Sequence, residues 1–116
     1  MKNPTLTKEI EHCKQIIERI LDENLNYQEP NLTESAKHLI KGKGKKIRPF
    51  IVFQVFRHFQ HEYDLIAPAA AALELFHMYS LIHDDILDED PLRMGKPSVH
   101  KKWGIPQAIL AGDVLY

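Results

Sequence analysis

Apolar residues recur at helical spacing along most of this chain, and polar clusters cut the pattern into helix-sized segments. Leu6, Ile10, Cys13, Ile17, Leu21 and Leu25 form one stripe, widened by Ile16 and Ile20. They predict a first helix that starts near Thr5 or Thr7 and breaks in the polar stretch 24–30. A shorter helix is expected over residues 33–40, with Thr33 or Asn31 as its cap and Gly42 as its stop. Pro49 suits the first turn of a third helix, whose apolar band covers residues 50–59. The fourth should run from residue 65 to 88, capped by Asp64, with Pro68 tolerated in its opening turns. Its residues 69–72 are small enough to let a neighbouring helix approach closely. Pro91, Gly95 and Pro97 mark a loop, and Pro106 opens a last helix carrying Ile109, Leu110, Val114, Leu115 and Tyr116. No strand pattern or internal repeat interrupts this series. The expected fold is all-α, with residues 1–116 forming part of a single domain.

Composition adds little until charge is read by position. At 44% hydrophobic residues the chain can build a core, and its net charge of −1 gives no overall field that would draw nucleic acid or membrane. Five of the eight residues 41–48 are basic, however, and five of the seven residues 84–90 are acidic. One pole suits anions and the other cations; a metal-bound polyphosphate needs both. The single cysteine, Cys13, excludes an intrachain disulfide. Residues 2–11 are too polar for a signal peptide, and the apolar run 65–73 is too short to span a bilayer. A soluble, cytoplasmic protein without stable membrane insertion is expected. The ending on Val114-Leu115-Tyr116 would leave an apolar helix end uncovered, as in a truncated chain or one that meets a partner there.

The chemistry concentrates at the end of the fourth helix. Asp84 and Asp88 fall one turn apart on one face, with Asp85 beside them. Three carboxylates at a helix C-terminus repel one another and oppose the dipole, so either water or a divalent cation must offset them. Mg²⁺ suits such a set because it takes one or two carboxylates plus waters and phosphate oxygens. Lys43, Lys45, Lys46 and Arg48 precede a helix N-terminus, where backbone N–H groups favour anions. They are not a Walker loop, because Leu39 and Lys46 stand where Gly and Ser or Thr are needed. On its own this segment could equally be a solvated basic turn. His77, two turns before Asp84, could bond a phosphate or simply fill a core position. The His83-Asp84 doublet is weak evidence for a metal pair. Tyr79 and Phe76 read first as core, and Arg93 either reaches a metal-bound phosphate or neutralises the acids.

Taken together, these segments resemble the trans-isoprenyl diphosphate synthases, the farnesyl and geranylgeranyl diphosphate synthase family. Residues 44–49 (Gly-Lys-Lys-Ile-Arg-Pro) match its basic loop, and residues 74–88 match its Glu-x-x-His-x-x-Ser-Leu-x-x-Asp-Asp-x-x-Asp helix. Leu92-Arg93, Gly95-Lys96-Pro97-Ser98 and Leu110-Ala111-Gly112-Asp113 match the segments that follow, in order. The resemblance covers residues 44–116 and, at its widest, the whole chain as the N-terminal third of a normal member.

It implies an antiparallel bundle of the isoprenoid synthase type around a deep cavity, of which this chain holds only the N-terminal helices. It also implies a homodimer. By the same resemblance, Lys45, Arg48 and His77 bind the diphosphate of isopentenyl diphosphate. Asp84, Asp85 and Asp88 hold Mg²⁺ on an allylic diphosphate, which Arg93 contacts as well. The allylic C–O bond ionises, the alkene of isopentenyl diphosphate attacks, and proton loss gives a longer prenyl diphosphate. Tyr79, five positions before the first Asp, would limit growth to a short product such as farnesyl or geranylgeranyl diphosphate.

Three departures stand out: Lys43 for a glycine, Lys46 for an arginine, and Met94 for a second arginine. The family's second Asp-rich motif lies on later helices that these residues do not include, so residues 1–116 alone are expected to be inactive. A non-catalytic or regulatory subunit of a hetero-oligomeric synthase is the alternative. A metal phosphohydrolase fits the phased Lys45, Arg48, His77 and Arg93 less well.

Overall fold

A computed structural model of the chain describes residues 4–42, 44–59 and 62–116. Six helices and one small hairpin follow in the order α1 (Pro4–Asn24), α2 (Pro30–Lys37), α3 (Ile47–Arg57), α4 (Tyr63–Leu87), β1 (Leu92–Arg93), β2 (Lys96–Pro97), α5 (Val99–Trp103) and α6 (Ile105–Leu115). The helical reading therefore holds, with local corrections. On α1 the stripe buries Cys13, Ile17 and Leu21, spaced one turn apart, and Leu25 continues it just beyond the helix.

The expected cap of α2 is replaced by an earlier one. Glu29 accepts hydrogen bonds from the amides of Asn31 (3.0 Å) and Leu32 (2.6 Å), so the helix starts at Pro30. A carboxylate there also meets the positive end of the helix dipole. Thr33 instead closes the preceding loop, accepting from the Tyr27 amide (2.8 Å) and donating to its carbonyl (3.1 Å). The helix also stops at Lys37, well before Gly42. In α4, Glu62 holds the N-cap position and Asp64 lies within the first turn.

Two elements escaped the sequence pattern because they are too short to show a period. Leu92 pairs with Pro97 and Arg93 with Lys96, antiparallel. The two residues between them, Met94 (φ 52°) and Gly95 (φ 78°), have the positive φ values of a type I′ turn. After Ser98 the five-residue α5 follows.

Helix α4 is the axis of the fold, packed by α1, α3, α5 and α6. Ala67, Ala70 and Ala71 are buried on it, so the small-residue stretch does admit a close neighbour, although Ala69 and Ala72 face outward. On α6, Ala108, Ala111 and Gly112 do the same from the other side. A Cβ at Gly112 would lie 2.3 Å from His83 Nε2, so glycine is what lets the imidazole sit there. By length and composition the segment 64–87 of α4 is apolar enough to cross a membrane, which the shorter run 65–73 did not suggest. Here it is the central packing element and carries Glu74, His77, Asp84 and Asp85.

Candidate active site

Three elements converge on a cleft of about 310 Å³. The start of α3 and the turn before it contribute Lys45, Lys46 and Arg48; α4 contributes Glu74 and His77; the hairpin contributes Arg93 and Met94. Lys43 lies outside the described residues.

Each cation is placed differently. Lys45 is exposed. Lys46 turns inward: its backbone is left-handed (φ 51°), its side chain is buried, and its Nζ donates to the Ile40 carbonyl (2.5 Å) and lies 3.5 Å from Glu18 Oε1. Its charge therefore anchors the turn to α1, a partnership with Glu18 that no local motif announces. Arg48 is exposed and its Nη1 lies 3.1 Å from His77 Nε2. Burial lowers the His77 pKa, and the charges of Arg48 and Arg93 lower it further. Glu74, one turn before His77, is 6% exposed and has no hydrogen-bond or ion-pair partner among the described residues. Burial raises its pKa, against the opposing pull of Lys46 and Arg48. Met94 covers the cleft edge, its Sδ placed so that a Cβ on Gly44 would approach it to 2.8 Å.

The acidic end of α4 divides. Asp84 and Asp88 are exposed and one turn apart, and neither side chain has a partner among the described residues. Asp85 does not share their face; successive helical residues are about 100° apart. It is 1% exposed and both of its oxygens are engaged by Arg93, Nε to Oδ2 at 3.1 Å and Nη2 to Oδ1 at 2.5 Å. Arg93 thus lines the basic cleft while bound to the acidic motif, a bridge that spacing alone does not reveal. The hairpin holding it is fastened at both ends. The Asp90 amide donates to the Asp85 carbonyl (2.9 Å), and the Asp90 carbonyl accepts from Ser98 Oγ and from His100 Nε2, both at 2.8 Å.

Asp84 and Asp88 offer two hard, solvated oxygen donors on one helical face, which fits Mg²⁺ bound mainly through water and phosphate oxygens. No closed cage of three or more ligands exists among the described residues. Tyr79 lies away from the basic cleft, on the α6 side. Its ring is edge-on to His83 (4.8 Å between centroids) and near Tyr116 (5.2 Å) and Phe76 (5.7 Å).

Comparison with known proteins bears on this arrangement. The sequence profile of the polyprenyl synthetase family matches residues 29–116. The short chain isoprenyl diphosphate synthase of Methanocaldococcus jannaschii is 45% identical over 105 residues, covering 89% of this chain and 32% of that protein. The heptaprenyl diphosphate synthase component 2 of Geobacillus stearothermophilus is 38% identical over 100 residues, covering 86% of this chain and 31% of that one. The crystal structure of geranylgeranyl pyrophosphate synthetase from Pyrococcus horikoshii superposes with a TM-score of 0.89 at 39% identity, over 96% of this chain and 34% of that one. The chain spans about a third of the length of the curated relatives it matches. Its helices are therefore part of an isoprenoid synthase fold, and by profile, sequence and structure alike the chain belongs to the polyprenyl synthetase family.

Proposed function

We propose that this chain carries the diphosphate-binding face of a prenyltransferase that condenses isopentenyl diphosphate with an allylic diphosphate. The observation that carries this reading is the layout of α4. His77 in the basic cleft and Asp84 on the acidic face are seven residues apart, about 10 Å along the axis, and Arg93 joins the two regions. Two anion sites at that separation suit two diphosphates whose prenyl groups must meet.

In this reading Lys45, Arg48 and His77 take the diphosphate of isopentenyl diphosphate. Asp84 and Asp88 hold Mg²⁺, which when bound neutralises charge developing on the allylic diphosphate as it leaves. Asp85 moves from the metal set to a positioning role, because it fixes the guanidinium of Arg93 toward that same diphosphate. Tyr79, in its aromatic cluster with Phe76 and Tyr116, is the limit on chain growth, which favours a geranylgeranyl or farnesyl product. The rest of the cavity belongs to the two-thirds of the relatives' length that this chain does not span. Residues 1–116 alone are accordingly inactive, and the active form is a soluble, cytoplasmic homodimer.

The test is condensation in a full-length form carrying these residues. Labelled isopentenyl diphosphate should enter a longer product only with Mg²⁺ and an allylic diphosphate, and Tyr79→Ala should lengthen that product. Release of inorganic phosphate with no prenyl acceptor would support a phosphohydrolase instead. The relative named as component 2 of a heptaprenyl synthase favours a second reading, in which the chain serves a hetero-oligomeric synthase. Co-purification with an unlike prenyl synthase subunit would identify that case.

A further inference from the structure

The Arg48–His77 contact fixes which ring nitrogen carries the proton. A guanidinium has only N–H donors, so at 3.1 Å from Arg48 Nη1 the His77 Nε2 must be the acceptor. In this contact His77 is therefore neutral, with its proton on Nδ1. That tautomer is wrong for a phosphate, since a bare Nε2 lone pair facing the cleft would repel an anionic oxygen. Burial favours the neutral state first, and the charges of Arg48 on the α3 side and Arg93 on the hairpin add to it; lysines 45 and 46 line the same cleft. Glu74 is the acid among the groups lining the cleft. A diphosphate entering among these cations reverses the field that His77 experiences.

We propose that diphosphate binding in this cleft takes up a proton from solvent at His77 Nε2. The nitrogen changes from acceptor to donor, and the Arg48 N–H that it held is released to the ligand. This rests on the diphosphate reading of the cleft given above. The lowered pKa of His77 supports it in sign: paired with Arg48 the ring stays neutral at a pH where the same ring beside a diphosphate is charged. Between the pKa of the free ring and that of the occupied one, affinity should then fall by about tenfold per pH unit, and level off above the latter.

Calorimetry of inorganic pyrophosphate binding to the chain, in buffers of different ionisation enthalpy near neutral pH, counts the protons. Pyrophosphate itself titrates in this range, so the informative quantity is the difference between the unmodified chain and His77→Gln. A difference approaching one proton is expected, and Glu74→Gln should retain the full uptake. If the uptake instead disappears in Glu74→Gln and persists in His77→Gln, the proton goes to the glutamate and the inference is overturned. Should His77→Gln fail to fold, ¹⁵N spectra of the unmodified chain decide. Nε2 must move from the shift of an unprotonated ring nitrogen to that of a protonated one when pyrophosphate is added. Binding with no such movement, or with equal proton counts, overturns this inference alone. No saturable binding of pyrophosphate overturns the diphosphate reading as well.

Discussion

The basic cleft and the acidic helix end share α4 but are built in opposite ways. In the cleft three of the cations have protein partners: Lys46 meets Glu18 and a carbonyl, Arg48 meets His77, and Arg93 meets Asp85. On the acidic face Asp84 and Asp88 stand in solvent, without side-chain partners among the described residues. The cleft is preorganised for an anion, because its donors are already held in place and need little ordering on binding. On the acidic face the backbone is held but the carboxylates are not. On the function proposed above, the more rigid of the two regions is the one that would hold isopentenyl diphosphate.

The contrast can be broken most severely at the residue the two regions share. Replacing Arg93 with Met leaves the buried Asp85 carboxylate unpaired, and removing one partner of a buried ion pair costs about 3–5 kcal/mol. Urea denaturation of Arg93→Met measures the loss. Lys46→Ala should cost about 1.5–3 kcal/mol by the same assay, the range for hydrogen bonds to charged groups. Some of that loss should be spared in Lys46→Gly, because glycine accepts the left-handed backbone without penalty.

The acidic face should behave otherwise. Asp84→Asn with Asp88→Asn should leave stability unchanged or slightly higher without metal, since like charges one turn apart repel. The unmodified chain should gain about 1.4 kcal/mol in Mg²⁺ at ten times its dissociation constant, and the double variant should gain none. Thermal melts with and without Mg²⁺ read both effects.

The smallest effect concerns Glu74. Its folded pKa is raised, chiefly by burial, so the native state holds a proton that the unfolded chain has already lost. Stability should therefore fall as pH rises from the ordinary glutamate pKa through the raised folded value. Glu74→Gln should flatten that decline, measured as the urea midpoint against pH.

Much of this architecture was legible from spacing. The stripe on α1 and the length of α4 needed only the 3.6-residue period, and Asp84 and Asp88 fell on one face by the same rule. Where several polar side chains competed to start a helix, the pattern could not choose; Glu29 rather than Thr33 caps α2 because the chain geometry carries its carboxylate over the amides. The partition of Asp85 from its neighbours was implicit in its angle around the helix. Its partner was not, because Arg93 reaches it only through a hairpin with a methionine at positive φ, a position where Asn, Asp or Gly is usual. Lys46 counted only as one more cation of the basic turn and is in fact a buried anchor, because its partner Glu18 lies 28 residues earlier.

The fastening of the hairpin to α4 has a kinetic meaning. Arg93 holds the Asp85 side chain, the Asp90 amide holds its carbonyl, and Ser98 reaches back to Pro91 and Asp90. These bonds close a short circuit from the end of α4 to the start of α5, so it cannot fray one amide at a time. In hydrogen exchange the amides of Asp90 and Ser98 should open together with the last turn of α4, as one cooperative unit. The exposed carboxylates of Asp84 and Asp88 would then ride on a helix end that is locked before any cation reaches it.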